Sequence, residues 1–236
     1  MVPTTLAMHM SDGLVNAPTA LGFGLVAIVG LAIALQRARA DLDDRTAPMA
    51  GLVTAFVFAV QMINFPILPG ASGHLLGGAL VAILVGPWVG SLCIAIVLAV
   101  QALLFADGGL TALGTNVVNM ALVGVFAGHL VATALRPLAR RGRAGLLATA
   151  FVAALVNTVL AALAFVLEYA IGGAGGASLG TVAALMVGLH TLIGIGEGII
   201  TAATVGAVAA VRPDLVHLLR GRPVPLEVRD GAGEPA

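Results

Sequence analysis

The sequence is a series of long apolar runs separated by short segments rich in Gly, Pro and Arg. A helix needs about 20 apolar residues to cross about 30 Å of hydrocarbon, whereas a transmembrane strand would show short segments of alternating polarity. The runs therefore predict an all-α membrane protein with about seven transmembrane helices. The predicted spans are 14–36, 49–65, 74–87, 89–106, 112–135, 146–170 and 180–211.

The third span and the end of the chain depart from this pattern. The third span is short and is interrupted by Gly77, Gly78, Gly86 and Pro87, which predicts a broken or re-entrant helix that is shielded from lipid. The polar, proline-rich segment 212–236 predicts a flexible cytoplasmic tail.

Composition supports the membrane class. The chain is 60% hydrophobic and 9% charged, with a mean hydropathy of +1.09, whereas about a quarter of the residues in soluble domains are charged. These values predict that the chain is embedded in a lipid bilayer. The formal net charge is zero, so no overall field favours nucleic acid as a partner.

The basic residues predict the orientation. The chain has no Lys, and its arginines follow the first, fifth and seventh spans, which seven crossings place on one side. By the positive-inside rule that side is the cytoplasm, so the N-terminus faces out and the C-terminus faces in. The arginines are Arg37, Arg39, Arg45, Arg136, Arg140, Arg141, Arg143, Arg212, Arg220, Arg222 and Arg229.

The outward side collects imidazoles and carboxylates: His9, Asp12, His74, Asp107 and Glu168. Such a set suits a cationic ligand, although topology alone would also keep Arg away from this side. If the mature chain begins at Met8, the terminal amine, the amide of the second residue and its imidazole can chelate one metal, with a distant imidazole completing the plane. An all-nitrogen set favours Ni(II), Co(II) or Cu(II) over Mg(II) or Ca(II).

Simpler interpretations remain open for each residue. His9 alone reads as an ordinary interfacial histidine, and His74 as a polar residue at a helix start. His190 and Glu197 lie seven residues apart on one face of the last span, where they serve either a transport pathway or helix packing. Together with Ser72, Asp12 and Asp107, these two form the set expected to surround the metal or its pathway.

No enzyme signature is present. The chain lacks the His-Glu-x-x-His, Gly-x-Ser-x-Gly and Walker A motifs, so no catalytic residue and no organic cofactor are predicted. Two alternatives to a transporter subunit remain. One is an intramembrane metal-dependent hydrolase that uses His74, His190 and Glu197, and the other is a passive divalent-cation channel.

Several motifs resemble the CbiM and NikM family, the substrate-specific components of cobalt and nickel energy-coupling factor transporters. They are MHMSDG at 8–13, NFPI at 64–67, GASGHLLGGAL at 70–80, GPW at 86–88, QALLFADGG at 101–109 and GIGEG at 194–198. The resemblance implies a six-helix component fold with an additional N-terminal helix. It also implies that Met8, His9 and His74 hold the metal.

By this resemblance, residues 8–211 form a multi-pass component of the cell membrane, which takes up Co(II), slightly favoured, or Ni(II) from outside. A transmembrane partner component, two cytoplasmic ATPases and, in many relatives, a small auxiliary membrane subunit would complete the importer. The seven residues before Met8 would convert the required amine into a peptide bond. Residues 1–7 are therefore expected to be a removed leader or a misassigned start.

Overall fold

The computed structural model describes residues 9–44, 46–63, 65–68 and 71–220, with the backbone alone for 65–68 and 71–73. These residues are mostly helical, and each predicted span overlaps one main helix. The main helices are α1 (Ala17–Asp41), α2 (Thr46–Gln61), α3 (Gly78–Val85), α4 (Pro87–Leu104), α5 (Leu113–Ala134), α6 (Arg143–Gly172) and α7 (Leu179–Val211). Residues Val117–Gly124 within α5 are π-helical, and a four-residue helix, Arg136–Ala139, follows α5.

Five of these helices, α1 and α4 to α7, are long and apolar enough to cross a bilayer. The shorter helices α2 and α3 have 16 and 8 residues. Large apolar side chains such as Leu21, Ile28 and Leu192 are exposed on the outer surface of the bundle. A helical membrane protein is therefore confirmed, while seven crossings and their orientation remain predictions.

Helix α3 lies at the centre of the bundle, and all eight of its residues are buried. It starts after Gly77 (φ +79°) and ends at Gly86 (φ +90°), and Pro87 begins α4. Glycine adopts these positive φ values without steric penalty. The interruptions in the sequence thus mark a short helix that is shielded from lipid, as predicted.

Two short strands precede α3 in a segment for which the sequence predicts only a loop. Strand β1 (Phe65–Leu68) pairs antiparallel with β2 (Ala71–Gly73). Residues 74–77 then continue without helical structure into α3. Because a backbone inside an apolar bundle must find hydrogen-bond partners, this segment depends on its neighbours.

One end of the bundle gathers arginines from different helices, and we call it the arginine end. The guanidinium of Arg37 lies 5.9 Å from the Trp88 ring centroid at the start of α4. Arg136, which follows α5, donates a hydrogen bond to the carbonyl of Arg220, and Arg220 donates one to Thr46 Oγ1 at the start of α2. The described ends of α1, α5 and α7 therefore meet on one side.

Residues 212–220, which the sequence assigns to a flexible tail, are folded against the arginine end. They form short 3-10 turns and bury Val216 and Leu218. Arg136 Nε donates to the carbonyl of Leu218 at 3.0 Å. Apolar residues within the polar segment explain the difference, since they bury against the bundle. The remainder, 221–236, lies outside the described residues, as does the expected leader, 1–7.

Close backbone approach allows α3 to fit inside the bundle. A Cβ added at Gly128 on α5 would lie 2.7 Å from Ala79 Cα on α3. Small residues of this kind allow membrane helices to approach closely. The contact leaves no room for even one methyl group.

We expect Gly128→Ala to lower the melting temperature of the protein in detergent, because overpacking typically costs about 1–3 kcal/mol. The matched control is Gly188→Ala, since a Cβ at Gly188 meets no atom within 4 Å. Thermal unfolding of the two variants measures the difference. Equal melting temperatures would show that α3 and α5 do not pack this closely.

Candidate metal site

Two histidine rings lie against each other at the end of the bundle opposite the arginine end. The ring centroids of His9 and His74 are 4.4 Å apart and their planes are tilted by 36°. Both residues are buried, with 5% and 1% of their surface exposed. The structure thus brings together two of the residues that the sequence selects as metal ligands.

A carboxylate orients the first ring. His9 Nδ1 lies 3.0 Å from Asp107 Oδ1, just after α4. Because an ionised carboxylate only accepts hydrogen bonds, the proton is on Nδ1 and the lone pair is on Nε2 in the neutral ring. This hydrogen bond from His9 lowers the pKa of Asp107, so Asp107 is ionised at neutral pH. A negative charge therefore lies beside the ring pair.

A backbone carbonyl orients the second ring. His74 Nδ1 donates to the carbonyl of Leu75 at 3.0 Å, which leaves its Nε2 with a lone pair. Among the described protein atoms, Nε2 has no hydrogen-bond partner in either His9 or His74. Metal-ligating histidines commonly donate one N–H to a carboxylate or a carbonyl and bind the metal through the other nitrogen. Both His9 and His74 have one ring nitrogen bonded to an oxygen and the other nitrogen without a partner among the described atoms.

The N-terminal segment that carries His9 is fixed by side chains from α5 and the loop before it. Asn116 Oδ1 accepts from Met10 N at 2.7 Å, and Asn116 Nδ2 donates to Met10 O at 3.1 Å. Thr111 donates to Asp12 Oδ1 from both its backbone N–H and its hydroxyl, at 2.8 and 2.5 Å. These bonds lower the pKa of Asp12, which anchors the segment and has no direct contact with the rings.

Glu197 on α7 holds the chain that carries His74. Its Oε2 accepts from Leu76 N at 2.8 Å and from Thr158 Oγ1 at 3.0 Å. Its Oε1 accepts from Gly77 N at 3.1 Å and from Asn157 Nδ2 at 2.8 Å. The carboxylate therefore joins α7, α6 and the non-helical segment 74–77.

Gln61 also holds the segment 74–77, because it bonds to a backbone carbonyl where Glu197 bonds to N–H groups. Its Nε2 donates to the carbonyl of Leu76 at 2.6 Å, and the side chain is fully buried. The N–H and the C=O of Leu76 are thus both bonded to side chains, two residues from His74. Gln61 and Glu197 set the position of the second ring without contacting it.

Other predicted residues lie outside the ring pair. His190 is buried in α7 and donates from Nδ1 to the carbonyl of Met186 at 2.6 Å. Glu168, on α6, accepts from Asn119 Nδ2 at 2.7 Å. Ser72 lies in β2, where only the backbone is described, and Met8 lies outside the described residues.

The described side chains do not form a complete metal site by themselves. Across 9–44, 46–63, 65–68 and 71–220, no group of three or more His, Cys, Asp or Glu residues is arranged around one position. His9 and His74 supply two nitrogen donors. Further donors would come from other groups, such as water, a backbone group, another type of side chain or a residue outside these ranges.

The amide side chains that position the site were not selected from the sequence. Gln61, Asn116 and Asn157 are all buried within helices of apolar character. In the sequence, each of them is visible only as a polar amide inside an apolar run. Such an amide in a membrane helix needs a specific hydrogen-bond partner. The sequence does not reveal which partner each amide contacts.

Residues 9–215 match the family CbiM, described as the cobalt uptake substrate-specific transmembrane region. The chain belongs to this family. As a member, it is a membrane component of cobalt or nickel uptake, and the described helices agree with a multi-pass membrane protein.

Individual relatives cover nearly the whole chain. A putative fused nickel transport protein NikMN of Archaeoglobus fulgidus is 41% identical over 89% of this chain and 68% of its own length. A cobalt transport protein CbiM of Sorangium cellulosum is 32% identical over 90% of this chain and 96% of its own length. A crystal structure of a truncated transition metal transporter aligns with a TM-score of 0.78 and 27% identity, over 86% of this chain and 98% of that one.

We expect Glu197→Ala to lower metal affinity and stability together, because it would leave the buried N–H groups of Leu76 and Gly77 without a partner, at about 1–3 kcal/mol each. Glu197→Gln retains an acceptor oxygen and should be affected less. Gly196→Ala is the control, because a Cβ there meets no atom within 4 Å. Calorimetry with Ni(II) and thermal unfolding test this, and unchanged affinity in Glu197→Ala would contradict the role of Glu197.

Proposed function

We propose that the chain is the substrate-binding membrane subunit of an energy-coupling factor importer. It captures Co(II) or Ni(II) on the extracytoplasmic side of the cell membrane and delivers the ion to the cytoplasm. A transmembrane partner component and two cytoplasmic ATPases supply the driving force, with a small auxiliary membrane subunit where one is present. The chain itself is a transporter part and catalyses no reaction.

The observation that carries this proposal is the pair of adjacent, buried imidazoles of His9 and His74. The nitrogen donors of His9 and His74 suit late divalent metals, whereas Mg(II) and Ca(II) prefer oxygen. The pair lies at the end of the bundle opposite the arginines. With seven crossings and arginines facing the cytoplasm, the rings face outward, which suits capture from outside.

The two remaining ligands are proposed to be the amine of Met8 and the amide nitrogen of His9. A chelate through this amide closes a six-membered ring only with Nδ1 of the same residue, and Nδ1 here bonds to Asp107. Such a chelate would require His9 Nδ1 to give up its hydrogen bond to Asp107 and to become a metal ligand instead.

The bonds to Glu197 argue against the hydrolase alternative. A carboxylate offers about four lone-pair sites, and Glu197 accepts four hydrogen bonds, two from backbone N–H groups and two from side chains. A general base needs a free lone pair to accept a proton from water. In the transporter proposal, Glu197 holds the segment 74–77 and does not act as a base.

We expect His74→Ala to lower the affinity for Ni(II) and Co(II) by at least about tenfold to a hundredfold, the range seen when even a residue beside a metal ligand is lost. His129→Ala is the control, because His129 lies near the end of α5 that adjoins Arg136 at the arginine end, whereas the ring pair lies at the opposite end of the bundle. Calorimetry with each metal measures both affinities and compares cobalt with nickel. Wild-type affinity in His74→Ala would rule out this capture site.

We expect the purified mature protein to begin at Met8 and to lose most of its affinity when the terminal amine is acetylated, because acetylation removes one nitrogen donor. Mass spectrometry identifies the terminus, and calorimetry before and after acetylation measures the affinity. Full affinity in a protein that retains Met1 would exclude the amine as a ligand. The imidazole pair would then have to bind through other donors.

A further inference from the structure

A third buried histidine shares the features of the pair. His190 on α7 is 3% exposed and donates from Nδ1 to the carbonyl of Met186 at 2.6 Å. Its Nε2 is buried and has no hydrogen-bond partner among the described protein atoms. The donor bond fixes the tautomer, so Nε2 carries a lone pair in the neutral ring.

The hydrogen bonds of Glu197 indicate how far apart His190 and His74 lie along the axis of α7. Glu197 lies level with Leu76 and Gly77, because it accepts both backbone N–H groups. Seven helical residues separate Glu197 from His190, which places His190 about 10 Å toward the start of α7. His74 lies two residues before Leu76, which reaches at most about 7 Å in the same direction.

Helix α7 also runs beside the segment that carries His74. It contacts strand β2, which ends at the residue before His74. Among the interactions that act on the His74 ring, the electrostatic one with His190 is the smallest. Because residues seven apart share one helix face, His190 points to the same side of α7 as Glu197, toward the segment 74–77.

We propose that His74 and His190 form a second binding site for the same late divalent cation, next to the capture pair of His9 and His74. His74 stays bound while His190 replaces His9. This inference rests on the proposed function, because it names the next position of the ion captured by the pair. The transfer replaces the donors at the N-terminal segment by the His190 imidazole, and the amide nitrogen of His9, which is deprotonated while it binds the metal, takes a proton back from water when the ion leaves.

A sequential role agrees with the arrangement better than a common site. His9, His74 and His190 are not grouped around one position in the described structure. If His190 only packed against its neighbours, its buried Nε2 would have lost its contact with water without gaining a hydrogen-bond partner among the described residues. A cation that arrives from the capture pair gives this nitrogen a ligand.

The test removes the capture site and measures the binding that remains. Ni(II) alone is titrated by calorimetry into four purified full-length proteins: wild type, His190→Ala, His9→Ala and the double variant His9→Ala/His190→Ala. We expect His190→Ala alone to stay within about threefold of wild type. In the His9→Ala background, removing His190 should lower the residual affinity at least about tenfold, as loss of a ligand does.

Two controls separate a ligand from a packing residue. Thr191→Ala changes an exposed neighbour on α7 and should leave the residual affinity of His9→Ala unchanged. His190→Gln keeps a long polar side chain but lacks an imidazole, so it should behave as His190→Ala does. It also replaces His190→Ala if that variant fails to fold.

The proposal is overturned if His9→Ala binds no Ni(II), if its residual affinity does not depend on His190, or if His190→Ala alone weakens binding as strongly as His74→Ala. The last result would make His190 a capture ligand. Failure of the proposed function looks different, because wild type would then bind no Ni(II) tightly or His74→Ala would keep full affinity. In the second of these cases, the dependence on His190 in the His9→Ala background still decides whether His190 is a ligand.

Discussion

The architecture depends on how the backbone of Leu76 and Gly77 is satisfied inside an apolar bundle. Lipid and apolar side chains offer no hydrogen bonds, so a non-helical segment needs protein partners. Glu197 accepts both N–H groups, and Gln61 donates to the carbonyl of Leu76. These bonds allow the chain to stop being helical where His74 must reach the end of the bundle opposite the arginine end, and they leave α3 short and central.

The N-terminal segment is also non-helical, and a side chain likewise bonds to its backbone groups. One amide side chain, Asn116, bonds to both the N–H and the C=O of Met10. Each histidine of the pair therefore lies one or two residues from a backbone unit that is held on both sides by side chains. The rings meet because two irregular segments are fixed to different helices of one bundle, with His9 oriented by Asp107 and His74 by its neighbouring carbonyl.

Helix positions were predictable because long apolar runs and glycine or proline interruptions act locally, as the buried α3 between Gly77 and Pro87 illustrates. The pairing of Gln61 with Leu76, and of Asn116 with Met10, was not predictable, because each joins residues that are distant in sequence. The folded segment 212–220 was missed for a related reason. The segment is mostly polar but contains a few apolar residues, and whether these are buried depends on the surface formed by the folded helices.

The charge distribution around the ring pair bears on which cations it favours. Two buried imidazoles present nitrogen donors, so a hard oxygen-seeking ion would lose its hydration shell there without gaining oxygen ligands from them. Asp107 contributes a negative charge that attracts any divalent ion; its Oδ1 bonds to His9, whereas its buried Oδ2 has no hydrogen-bond partner among the described protein atoms. A site in which Oδ2 binds the ion directly would lose part of its preference against Mg(II) and Ca(II), so this preference is greatest when Asp107 attracts the ion and the imidazoles bind it.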